Sequence, residues 1–109
     1  MKKLLQVMIT VALLSGVSLM ADIKKGQKYY LKTLKSKLHK NGTKFAALHT
    51  VDEWEELFEE DAEGFIEEFS DKYPKAKKYL NSPKFQKRMP HIRDFAVEYG
   101  SDSGNVPTC

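Results

Sequence analysis

Apolar side chains return at helical intervals along most of this chain. Tyr30, Leu34 and Leu38 recur every four residues, the spacing that lines one face of an α-helix. The pattern predicts an amphipathic helix from about Lys24 to His39 with lysines on its outer side. Asn41-Gly42 is expected to end it, Gly42 being free to take positive φ. A short helical turn should carry Phe45, Ala46 and Leu48. In "TVDE", Thr50 can accept from an exposed amide while Glu53 reaches back, a capping box that opens a new helix. Its stripe is Trp54, Leu57 and Phe58. Gly64 is expected to interrupt it, and Phe65, Ile66 and Phe69 carry a second apolar face to Tyr73.

Pro74 opens a short lysine-rich helix that ends near Leu80, and Ser82-Pro83 reads as a cap followed by proline at the first helical position. Met89-Pro90 is expected to start the last helix, with Ile92, Phe95, Ala96 and Tyr99 facing inward and Gly100 closing it. No stretch alternates as a strand would, and neither repeat nor linker interrupts the pattern. The reading is an all-α, small single-domain bundle over residues 22–100, with an irregular tail at 101–109.

The first 21 residues belong to a different class. "MKK" is a positive start, "LLQVMITVALLSGVSLM" is an uncharged apolar run, and Ala21 offers a small residue for cleavage. That is the anatomy of a secretory signal peptide. A retained membrane anchor is the competing reading, weakened by Gln6, Thr10, Ser15, Gly16 and Ser18 inside the run. The expected product is exported and periplasmic, with no membrane attachment after processing.

Removal of Lys2 and Lys3 takes the net charge from +3 to +1, so the basic composition is no argument for nucleic acid. The remaining charges are zoned. Eight lysines and no acid lie between Lys24 and Lys44, eleven acids and no base between Asp52 and Asp71, and eight bases and no acid between Lys72 and Arg93. The simplest expectation is that the acidic helix folds against the basic ones. The alternative is a dipolar surface that steers a charged partner.

Gly26 and Tyr30 in the first helix, "NGTKFAALHTVDEW" in the middle, and Met89-Pro90 before a helix containing Phe95 and Tyr99 occur in a particular order. In that order the chain resembles the small monohaem c-type cytochromes of the bacterial periplasm, including cytochrome-c-like proteins with a "DSGNVP-C" tail. The resemblance covers most of Lys24 to Cys109. It implies that the first and last helices cross closely at Gly26, with Tyr30 and Tyr99 filling the space beside it. It also implies a place near periplasmic electron transfer.

The chemistry of that family sits in Cys-x-x-Cys-His, where two thioethers hold the haem and the histidine binds its iron. A match through Gly26, Tyr30 and Gly42 puts those positions at Leu34, Lys37 and Leu38. Leucine and lysine form no thioether, so covalent haem is not expected. His39 is one residue away, about 100° further round a helix, and would need a helix irregularity to serve as a ligand. Noncovalent haem is the cofactor that the residues leave open. Met89 lies where the resemblance implies a distal methionine, and His39, His49 and His91 are the other candidate ligands. Met89 is read first as a gap-filler in a small core, and the expected cofactor state is none.

No pair of histidines has metal-ligand spacing on one helix. There is no HExxH, P-loop or nucleophile elbow, and the acidic run lacks the alternating ligands of a calcium loop. The reading is not an enzyme. Cys109 is the only cysteine, which leaves it free or paired between molecules, in a Cys109-linked dimer or with a periplasmic protein partner. The function expected is therefore a non-catalytic binding or accessory protein. The alternatives are an electron carrier with noncovalent haem and a redox-linked adaptor that pairs through Cys109.

Overall fold

A computed structural model describes the backbone of residues 16–107 and the side chains from Ile23 onward. Most of the segment expected to be a signal peptide, residues 1–15, lies outside the described residues, as does Cys109. The described chain is all-α. Helix α1 (Gly16–Tyr29) runs directly into a π-helical turn (Tyr30–Leu34) and then α2 (Lys35–Leu38). Next come α3 (Gly42–Ala46), α4 (Val51–Leu57) and α5 (Glu59–Lys72). A 3₁₀ turn (Pro74–Ala76) leads into α6 (Lys77–Leu80), and α7 (Pro83–Glu98) closes the bundle.

Local chemistry accounts for several boundaries. Asn41 caps α3, its Oδ1 accepting from the Lys44 amide at 2.8 Å. Thr50 and Glu53 form the capping box at the start of α4, with both reciprocal bonds made. Ser82 caps α7, and Pro83 takes the first helical position, where its missing amide costs nothing. Pro90 sits well inside α7, where it supplies no amide to the carbonyl one turn back.

The most extensive interhelical contact is α1 against α7. Gly26 lies at that crossing. A β-carbon there would stand 1.9 Å from the His91 carbonyl oxygen and 2.9 Å from the Phe95 Cβ, so no side chain fits without separating the helices. The core around the crossing is aromatic. Trp54, Tyr30, Phe45, Phe65, Phe69, Phe85 and Phe95 are all fully buried, together with Leu34, Leu80 and Ile92. Phe45 sits at its centre, stacked on Tyr30 at 4.3 Å and edge-on to Phe69 at 6.0 Å. Offset and edge contacts of this kind add to what area burial alone supplies. The Trp54 indole, buried with them, donates to the Ala46 carbonyl at 2.8 Å.

Four sequence expectations are corrected here. The residue that turns the chain after the first long helix is His39, at φ 60°, and not Gly42. Gly42 instead opens α3 in a buried position, where a β-carbon would meet the Phe95 ring at 3.0 Å. The break in the acidic helix lies at Glu60, Asp61 and Ala62, three successive left-handed residues, and Gly64 is helical. There the glycine admits Leu57, whose Cδ2 would be 3.3 Å from a β-carbon. The last helix starts at Pro83, six residues before Met89. Leu48 lies beyond the end of α3 and is exposed.

The charge expectation is corrected as well. Ten of the eleven acids between Asp52 and Asp71 are exposed, and Glu68 alone is half-buried. Lys72 reaches Glu68 at 3.6 Å and Arg93 reaches Asp94 at 3.1 Å, each within a single helix. Among the described residues no lysine of the 24–44 zone lies within ion-pair distance of a carboxylate. The helices meet through their apolar faces, and the charges turn outward because pairing them would desolvate both partners for a small return.

Candidate functional site

The π-helical turn is the irregularity that could have re-aimed His39. Its signature bond runs from the Lys35 amide to the Tyr30 carbonyl, and the Thr33 hydroxyl bonds to the Tyr29 carbonyl at 2.6 Å. The extra residue accommodated there keeps Tyr30, Leu34 and Leu38 all facing inward, with Leu34 0% and Leu38 2% exposed. His39 is left outside as the exposed C-cap of α2. It borders a shallow recess of about 340 Å³ with Leu31, Lys35, Ser36, Lys40 and Asn41. The two leucines at the first thioether and iron-ligand positions of the resemblance are thus packed into the core, and the nearby histidine is directed away from it.

Met89 is 8% exposed and belongs to the same aromatic core. Tyr30 is fully buried in that core as well, stacked on Phe45. Its ring also lies 6.2 Å from Phe95, and its hydroxyl donates to the Lys40 carbonyl at 2.5 Å. Burial, and secondarily Tyr73, pushes the Tyr30 phenol well above its ordinary range, so it remains an un-ionised donor. Tyr99 is half-buried and meets Phe95 edge-on at 5.4 Å. Tyr29 packs against the outside of the core with Arg88 above its ring at 4.7 Å.

His49 is the candidate residue with the most developed surroundings. It lies in the loop between α3 and α4 with its side chain 18% exposed. Its Nδ1 is 3.1 Å from Glu53 Oε1, and its Nε2 is 2.6 Å from Glu68 Oε2. The ring stands edge-on to Trp54 at 4.9 Å, while its backbone carbonyl accepts from the Ser101 amide at 2.9 Å. One residue beyond the Thr50 cap, the Val51 amide donates to Asp102 Oδ1 at 2.8 Å. Both ring nitrogens are occupied by carboxylates on opposite sides, so His49 would have to leave a glutamate to reach iron. The Glu53 carboxyl is held below its usual range, first by the Thr50 amide and then by His49.

His49 was legible as a candidate and Glu53 as a capping residue, but their joint role was not. Glu68 lies nineteen residues from His49, and only the packing of α5 beside the loop brings it there. Among the described residues no three histidine, cysteine or acidic side chains gather as a metal site, and no helix is long and apolar enough to cross a membrane. The outward acids of α5 border an open groove of about 1100 Å³, lined by Glu60, Asp61, Glu63, Glu67 and Asp71 with Lys77 opposite. Compared with known proteins, the chain matches no family model, no curated protein and no solved structure.

Proposed function

We propose that this chain is an exported, non-catalytic binding or accessory protein on a cytochrome-c-like helical scaffold, without covalent haem. The observation that carries the proposal is the burial of Leu34 and Leu38 in the core of a bundle whose first and last long helices, α1 and α7, cross at Gly26. A crossing of first and last helices around a glycine is the feature that the resemblance implies, and of the positions that would bond a porphyrin, Leu34 and Leu38 fill the core while Lys37 lies half-buried outside it. Noncovalent haem would have to draw Met89 out of the core and His49 away from two glutamates. The exported location rests on the leader-like first 21 residues, and the charged outer faces supply the means of attracting a charged partner.

The test uses the mature chain purified from the exported compartment of cells that also express haem-attachment machinery. The expected product is colourless, unfolds cooperatively, and keeps its midpoint temperature when haemin is added. Haem colour that persists through denaturing electrophoresis would overturn the proposal. A one-to-one Soret band that raises the midpoint would do the same in favour of a noncovalent electron carrier, because a ligand of the native state stabilises it in proportion to its binding.

A further inference from the structure

We infer that His49 is a proton-dependent clasp that fastens the C-terminal tail to the body of the protein. Carboxylates accept hydrogen bonds and cannot donate them, so a ring held between Glu53 and Glu68 satisfies both only when both nitrogens carry protons. The charged groups around the ring are Glu53 from α4, Glu68 and Lys72 from α5, and Asp102 from the tail. Lys72 stands 3.6 Å from the same Glu68 oxygen. A neutral ring keeps one contact and turns a lone pair toward the other carboxylate. The shorter, half-buried bond to Glu68 is the one retained, so Glu53 is the partner that swings away.

That movement reaches the tail through the backbone. Glu53 Oε1 also accepts from the Thr50 amide at 3.0 Å, and losing it opens half of the capping box. The tail is tied on either side of Thr50, Ser101 to the His49 carbonyl and Asp102 to the Val51 amide. Loosening residues 49–51 therefore disturbs both ties. The clasp is closed where imidazole is protonated and the glutamates are ionised. It opens as the pH rises and the ring loses its proton, and it weakens again in acid as the carboxylates gain protons. The inference is independent of the proposed haem-free role.

Hydrogen exchange at the Ser101 and Val51 amides, corrected for the intrinsic effect of pH, reads the clasp directly. Between about pH 5.5 and pH 8, protection at both amides should fall about tenfold, the scale of one charge-assisted hydrogen bond. In Glu68→Gln, whose amide can pair with a neutral ring, the fall should disappear while the capping box remains. His49→Gln should show weak protection at both pH values. Protection that does not change with pH in the native chain, or a full fall retained in Glu68→Gln, overturns the inference. If His49→Gln fails to fold, Glu68→Gln carries the decision alone.

Discussion

At the scale of single residues, Gly26 is the position with the least freedom. A methyl group there would overlap the His91 carbonyl oxygen and crowd Phe95, and backbone atoms cannot rotate aside as a side chain could. Gly26→Ala should therefore destabilise the protein by about 3 kcal/mol or more, at the upper end of what overpacking costs, measured by urea unfolding. A loss below about 1 kcal/mol would mean that α1 and α7 do not approach as closely as they do here. Gly64 faces a flexible leucine Cδ2 at 3.3 Å, so the same substitution there has room to be absorbed. Both glycines were visible in the sequence. Only the resemblance pointed to Gly26 as the crossing; no local pattern could, because that contact depends on a helix more than sixty positions further along the chain.

At the scale of elements, the capping box and the Ser82-Pro83 start were legible because each is decided within four residues. The left-handed turn at Glu60, Asp61 and Ala62 was not. Each of these residues has a β-carbon, and each sits in a region that costs L-residues roughly 1–2 kcal/mol. Sequence reasoning placed the break at Gly64 because glycine is the default for such a turn. Tertiary contacts override that preference. Ala62 is fully buried in the core, Phe58 and Phe65 from before and after the turn stack on each other at 4.6 Å, and Gln86 of α7 donates to the Asp61 carbonyl at 3.0 Å. Glu60 is exposed and contributes no core packing. Glu60→Gly should consequently raise stability by about 0.5–1 kcal/mol, relieving the left-handed strain net of the added freedom of the unfolded chain. A fall in the thermal midpoint would contradict this account of the turn.

The π-helical turn follows the same logic. A strict four-residue repeat of Tyr30, Leu34 and Leu38 predicted one inner face, and that face is buried as expected. An α-helix turning 3.6 residues per turn drifts away from a four-residue repeat. The wider π turn takes up the difference, so all three side chains stay directed at the core. His39 ends outside for the same reason.

At the scale of the whole molecule, the separated charges decide how it responds to salt. Had the acidic helix paired with the basic ones, screening would weaken it. With the acids and lysines instead turned outward in zones of like sign, screening should relieve repulsion within each zone. The thermal midpoint is expected to rise by a few degrees between about 0.01 M and 0.15 M sodium chloride, where the Debye length falls from about 30 to about 8 Å. A falling midpoint over that range would restore the charge-matching expectation. The same zones leave a basic recess beside Leu31 and an acidic groove along α5, surfaces that give the proposed binding role its electrostatic character.

The sequence by itself determined the all-α class, much of the aromatic core and the local starts at Thr50, Pro74 and Ser82-Pro83. Those features follow from periodicity and from hydrogen bonds made within a few positions. Only the tertiary structure decided that His49 would lie between Glu53 and Glu68, that three residues with β-carbons would form the left-handed turn, and that the charged zones would turn outward. Each of those outcomes depends on atoms distant in the chain, and the energy of burying an aromatic core outweighs the local preferences that sequence reasoning reads.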